Sequence, residues 1–528
     1  MHRILLPILA LLTTGCACEH GIGITGQHDG EDEEAHDPAV DVADILAEDP
    51  APRCGDGVLD EGEQCDGDDL GGATCESLGH DGGALACDPV CTYDESLCGD
   101  LPDCVRYVDI DTTAVSPDGL SWATAVADVQ QGIDFAAEVA GEVAPCEVWV
   151  TEGTYYIFRI DQQDTVRLRP FVHVYGGFDG TETLRLQRDW EEHETILSGR
   201  AEERDDTRVC HVVTASDFAT LDGFTVTKGR AGDDYFRCDP ASPGSNSAGG
   251  MIVVDSSPTV SNCVFRENTA GYRLSGGGGA MLVTGESDPV IEDCSFIDND
   301  SDWSGGAILV TENSSLTIVG GLFEGNQNSI SRGGAIGYAG EALLAISGCT
   351  FRENQHSAVA VGPVGTALIE NCVFDGNASA GYGGAIVVNS AELTLANCTF
   401  HGNSSGEEGI IQLSRSEADP SLVATNLVMW GNSGVPISAF AGMVTVGWSD
   451  IEGGFFGEDN IDADPLFVDA VAGDFRLQAG SPCIDAADGD AAPSADIVGN
   501  PRVDDTSVLD TGTGTPSYAD MGAYEFLP

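Results

Sequence analysis

Between residues 249 and 432 one short phrase keeps returning, and it leaves the chain few folds to choose from. The phrase is Phe-x-x-Asn, followed by Gly-Gly and a run of small and branched apolar residues. Its Phe copies are Phe265, Phe296, Phe323, Phe351, Phe374 and Phe400, with Met429 in the seventh place. Three residues on stand Asn268, Asn299, Asn326, Asn354, Asn377, Asn403 and Asn432. Successive copies are 31, 27, 28, 23, 26 and 29 residues apart. A period in this range means a solenoid, a propeller or an array. Each unit holds two or three short runs of Val, Ile, Leu and Phe broken by Gly, Asn and Ser, the pattern of strands and turns. The units are too short for propeller blades of about 40 residues. The expected fold is therefore an all-β parallel β-helix, one coil per unit.

Stacking gives the phrase its physical meaning. Coils about 4.8 Å apart bring each inward position against its own copy above and below. The Phe column is expected to form an aromatic ladder in the lumen. Two residues earlier runs a second column, Cys263, Cys294, Cys349, Cys372 and Cys398, with Gly321 and Leu427 in the gaps. Parallel, in-register Cβ vectors disfavour disulfide geometry, so these thiols are expected reduced and buried. Asn suits a turn because it tolerates left-handed angles, and stacked amides can bond one another. The Gly pairs before Ala307-Ile308, Ala335-Ile336 and Ala385-Ile386 are expected at tight turns.

The pairing of Gly305-Gly306-Ala307-Ile308 and Gly383-Gly384-Ala385-Ile386 with Phe-x-x-Asn resembles the polymorphic membrane protein repeat. The match is degraded at Ser357-Ala358-Val359 and at Gly409-Ile410. The resemblance implies a right-handed β-helix with roles in surface display and adhesion.

Charge narrows the partners. The 528 residues carry 88 acidic against 21 basic side chains, a formal net charge of −67, and Lys228 is the sole lysine. Such a surface repels DNA, RNA and anionic lipid, so no nucleic-acid partner is expected. It attracts cations. Eighteen cysteines beside a secretion signal point to an oxidising compartment.

That signal occupies residues 1–16: Arg3, then an apolar run from Ile4 to Leu12 that is too short to span a bilayer. Leu12-Thr13-Thr14-Gly15-Cys16 resembles a bacterial lipobox, with Thr13 in place of the preferred Leu. This implies export through the inner membrane and lipid anchoring through Cys16 at the outer membrane or cell surface. The alternative is cleavage after Ala17 and an extracellular protein. Residues 17–53 are acidic and poor in aromatics, as expected of a disordered tether.

Residues 54–104 carry Cys54, Cys65, Cys75, Cys87, Cys91 and Cys98, which read as three disulfides whose connectivity the sequence leaves open. The stretch from Cys54 to Gly67 resembles the disulfide repeat of myxobacterial surface proteins, implying a small display module. Residues 105–450 are assigned to the β-helix. In them Val126, Val129, Ile133 and Ala136 follow helical spacing, so a helix over 122–140 is expected to cap the first coil. Cys104 with Cys146, and Cys210 with Cys238, are candidate bridges. In residues 451–528, Gly480-Ser481-Pro482-Cys483-Ile484-Asp485 and Asp520-Met521-Gly522-Ala523-Tyr524-Glu525 resemble the choice-of-anchor Q domain of secreted β-helix proteins. The resemblance implies a C-terminal cap, in which Arg502 is expected to pair with Asp520 or Glu525.

Parallel β-helices also include pectin-degrading lyases and hydrolases, but the polygalacturonase motifs Asn-Thr-Asp, Gly-His-Gly and Arg-Ile-Lys are missing. Lys228 stands alone, and the ten histidines are scattered. Catalytic residues are therefore not assigned. The expected function is non-catalytic surface display for adhesion or for binding a glycan or matrix component. The alternatives are a polysaccharide lyase or glycoside hydrolase, and a structural spacer. No organic cofactor is expected. Calcium is a candidate along the acidic corner that follows the Phe column, with Glu267, Asp298, Asp300 and Asp302 as ligands, because like charges stacked there favour a bridging cation. For the anchor, Cys16→Ser is expected to move the protein from membrane to soluble fractions. Retention equal to wild type would contradict lipidation.

Overall fold

A computed structural model describes residues 104–528 apart from 233–237, 239–245, 272–275, 331 and 364. Ahead of these it describes Leu59 and residues 64–99 apart from 68, 81, 84, 89, 90, 96 and 97. Cys16, the tether and Cys54 lie outside the described residues. In the cysteine-rich module Cys65 is bridged to Cys87 and Cys75 to Cys98, and Cys91 is also disulfide-bonded.

The chain then winds into a parallel β-helix. Among the described residues its walls are three long parallel sheets of 12, 11 and 11 strands, with a short four-stranded sheet at one corner. The Phe phrase lies in one wall, and its register is unbroken: Phe265, Phe296, Phe323, Phe351, Phe374 and Phe400 pair in sequence, then Met429 and Ile451. The column also runs backwards, through Val226 and Leu197 to Tyr155. The six rings are fully buried and stack with centroids 4.7–5.0 Å apart, at interplanar angles of 14° or less. That offset stacking adds about 0.5–1.5 kcal/mol per pair to the burial itself.

Three residues on, the Asn column is a buried amide ladder. The Asn326 amide Nδ2 donates to Asn354 Oδ1 at 3.0 Å and to the Phe296 carbonyl at 2.8 Å. Its own Oδ1 accepts from the backbone N–H and the amide of Asn299. The same four bonds recur at Asn299, Asn354, Asn377 and Asn403. These asparagines do not adopt left-handed angles, contrary to the sequence expectation. The residue before each does: Glu267, Asp298, Gly325, Glu353, Gly376, Gly402 and Gly431 have φ between 53° and 70°. Left-handed asparagines do occur, but at the preceding corner: Asn262, Asn371, Asn397 and Asn426, with φ of 48° to 61°. One residue must turn the strand outward so that the next amide can point in.

The glycine pair is forced by crowding. Gly305 has φ of 65°, and a Cβ there would run into the Ile308 carbonyl; one on Gly306 would run into the carbonyl of Gly334 in the next coil. The Asn326 ladder and the Gly305-Gly306 turn thus fix consecutive corners of the coil.

The capping helix is shorter than its periodicity implies. Trp122–Thr124 is a 3-10 turn, and Val129–Ala137 is the α-helix, started by the Asp128 side chain accepting from the Gln131 N–H. Val129, Ile133 and Ala136 face the same core as Val108 and Val148, closing the lumen. The Cys104–Cys146 bridge ties the first strand, Val105–Val108, to its neighbour Cys146–Thr151, and Cys210 is bridged to Cys238.

At the other end Val446 and Phe455 finish the core, and bridges from Gly447 to Glu458 and from Asp450 to Ile461 add a partial coil. The rest of the C-terminal segment then runs back along the flank. Asn371 Nδ2 donates to the Ala495 carbonyl, Asn397 Nδ2 to that of Asp520, and Asn426 Nδ2 to that of Asp488. Phe475 and Ala523 pack on Val373. The segment clamps several coils from the side, which a simple end cap does not do. Arg502 pairs with Glu525 at 2.9 Å, with the side chains 4% and 0% exposed. Arg502 also donates to the Pro493 and Ala495 carbonyls, so this buried pair is satisfied and structural.

Cys263, Cys294, Cys349, Cys372 and Cys398 are all buried and free, as is Cys483. Burial raises the Cys294, Cys372, Cys398 and Cys483 thiols well above the ordinary range, which makes them inert. Titrating the denatured, unreduced protein should expose these six thiols, and labelling before denaturation should miss them. Finding none after denaturation would mean the column is cross-linked.

Candidate functional site

The wall that follows the Gly-Gly turns carries a groove on its outer face. Its strands are Ile308–Glu312, Ile336–Gly340, Val359–Val361 and Ile386–Asn389, stacked in parallel register. The register aligns Leu309, Gly337, Ala360 and Val387 in one outward column. Ser304 fills the space above Gly337, and Leu309, Ala339, Ala360, Gly362 and Val387 line the hollow beside it. The groove holds about 480 Å³.

Its rim comes from the turns just before each Gly pair. Trp303 is 48% exposed and lies on one such turn. One and three coils on, Arg332 and Tyr382 line the same rim, with the guanidinium carbon 4.5 Å from the ring centroid. Ser304, Thr311 and Asn389 supply polar groups. An exposed indole beside a small apolar floor offers a flat surface to the C–H face of a sugar ring, and the polar rim offers bonds to its hydroxyls. The described lining has one Arg and no carboxylate, so it lacks the paired acids of a glycosidase.

A second groove, of about 310 Å³, lies on the Phe wall and is lined by Trp190, Glu191, Glu194, Asn262 and Asp293. It has the carboxylates that the first lacks. Glu194 Oε1, however, accepts from Thr225 Oγ1 at 2.8 Å and from Arg266 at 3.0 Å. Those bonds give it a structural partner on each side.

The residues proposed from sequence as calcium ligands fall on two features. Glu267 and Asp298 are stacked left-handed corner residues of adjacent coils, with the Glu267 N–H donating to the Ile297 carbonyl. The Glu267 carboxylate is ion-paired with Lys228, which sequence alone did not foresee. Asp300 lies in the short corner sheet, paired with Thr269 and Gln327. Burial, and then the charge of Asp302, raise its carboxyl above the usual carboxylate range. Of the scattered histidines, His173 Nδ1 bonds Thr220 Oγ1 and His211 Nδ1 bonds the Ala248 carbonyl.

The family described as the right-handed β-helix region matches residues 237–341 and 334–442. The chain is thus a right-handed parallel β-helix. Among solved structures it is similar to pectate lyase Pel9A, at 13% identity over 80% of this chain and 97% of that one, with a TM-score of 0.46. It is also similar to PfbA, a surface adhesin of Streptococcus pneumoniae, at 12% identity over 65% of this chain and 91% of that one, with a TM-score of 0.30. A third is the catalytic unit of a GH87 α-1,3-glucanase from Streptomyces thermodiastaticus strain HF3-3, at 12% over 70% and 72%, with a TM-score of 0.35. No curated protein matches the chain. Among the described residues no helix is long and apolar enough to cross a membrane.

Proposed function

We propose that the protein is a non-catalytic surface protein, anchored through Cys16, whose β-helix binds a neutral glycan or matrix polysaccharide in the groove beside Trp303. The observation that carries this reading is the exposed Trp303 indole lining one groove with Ala339, Ala360 and Gly362. Charge chooses the class of glycan. At a net charge of −67, a uronic-acid polymer would be repelled, whereas a neutral one would not. The groove runs from the coil of Trp303 to that of Tyr382, three coil steps or about 14 Å, the length of a short oligosaccharide.

The lyase or hydrolase alternative is favoured by one feature, the carboxylates Glu191, Glu194 and Asp293 beside Trp190 in the second groove. Affinity electrophoresis against neutral and uronic-acid polysaccharides distinguishes the two readings. Wild type should be retarded by a neutral polysaccharide, and Trp303→Ala should weaken that binding about tenfold or more, as loss of one stacked ring does. Its circular dichroism should not change, since the indole is exposed. Equal retardation of the variant would contradict the groove. Cleavage of any polysaccharide in the panel would favour the second groove.

A further inference from the structure

Among the described residues, one group of three carboxylates has ligand oxygens all within 4.8 Å of one another: Asp485, Asp504 and Asp510. Acidic clusters are common on so acidic a chain, but one member here differs from the rest. The Asp485 side chain is 0% exposed, and neither of its oxygens has a hydrogen-bond partner. A buried carboxylate without donors carries the full cost of leaving water.

Nor is Asp485 free to swing out. Its φ is 51°, in the left-handed region. Its N–H donates to Asp520 Oδ1 at 2.8 Å, and its carbonyl accepts from the Thr511 and Gly512 N–H groups at 2.8 and 2.9 Å. Asp520 is itself buried and held by the Phe526 N–H at 2.6 Å. The Asp520 carboxylate and the Thr511, Gly512 and Phe526 N–H groups therefore hold a bare carboxylate within reach of Asp504 and Asp510.

We propose that Asp485, Asp504 and Asp510 form a calcium site that fastens the 504–512 loop to the β-helix flank. The donors are all oxygen, which selects a hard cation over zinc or copper. Oxygens within 4.8 Å of one another can share a single ion bonded at about 2.4 Å. Asp504 and Asp510 are exposed, so water can complete the six to eight ligands that calcium takes. Ser517 Oγ donates to Asp510 Oδ2 at 3.1 Å and orients that carboxylate. Asp485 lies in the run from Gly480 to Asp485, and the loop precedes the run from Asp520 to Glu525. The ion would therefore join the two stretches on which the C-terminal clamp depends.

The test is calcium titration of the full chain by calorimetry, with melting temperature read in calcium and in chelator at fixed ionic strength. Wild type should bind calcium and melt higher in it. The exposed double variant Asp504→Asn, Asp510→Asn should fold normally and lose about tenfold or more in affinity, because affinity follows the number of charged ligands. Asp485→Asn should lose the calcium-dependent rise yet melt no lower than wild type in chelator, since it removes a buried charge. A calcium-dependent rise that survives the double variant would place the ion elsewhere, for instance at Glu267 and Asp298, and overturn this site. So would a magnesium response equal to that of calcium.

Discussion

Every wall of this β-helix is positioned by the amide ladder from Asn268 to Asn403. A primary amide has two donors and an oxygen with two acceptor sites. In the ladder interior all four are used, every one of them on a neighbouring coil, and none of these side chains is exposed. A buried amide missing one partner is costly, whereas a fully bonded chain of amides reinforces itself. The ladder therefore tolerates only one register between coils. That register aligns the Phe rings 4.7–5.0 Å apart beside it, and aligns the Gly-Gly turns that follow it. The groove under Trp303 inherits its geometry from those turns.

What the sequence disclosed follows from this physics. Identical residues stack best on identical residues, so the Phe, Asn and Cys columns repeat visibly. The columns blur where the lumen accepts any large apolar group. Tyr155, Leu197 and Val226 occupy the same column as the phenylalanines but share no phrase with them. The left-handed position was misplaced by one residue because Asn is permitted in both roles, as a turn former and as a ladder rung. Only the backbone distinguishes Asn262 at φ 50° from Asn268 after its left-handed neighbour Glu267.

The candidate sites were less legible for a different reason. The groove floor is built by Leu309, Ala339, Ala360 and Val387, one from each of four coils, and small residues carry no chemical signature in a string of letters. The variable residues before each Gly pair, Trp303, Arg332 and Tyr382, were the available signal, since a solenoid keeps its specificity in its outward turns. The acidic group of Asp485, Asp504 and Asp510 spans two loops whose approach depends on the C-terminal segment folding back along the flank. Sequence placed calcium where carboxylates recur along the chain. The structure shows that one of them, Glu267, is already matched by Lys228, and that among the described residues the unmatched buried carboxylate is Asp485.

The dependence of the fold on the ladder is tested most directly by comparing urea unfolding of Asn354→Ala with that of Asn432→Ala. Asn354 sits in the ladder interior, and its loss strands the Phe323 carbonyl and the Asn326 amide and backbone N–H groups away from water. Asn432, at the end of the ladder, is half-buried, so water can replace what it gave up. At about 1–3 kcal/mol per stranded group, the interior variant should lose at least about 3 kcal/mol, and the terminal one clearly less. Equal losses at the two positions, or an interior loss below about 1 kcal/mol, would contradict the claim that the amide ladder sets the register of the coils.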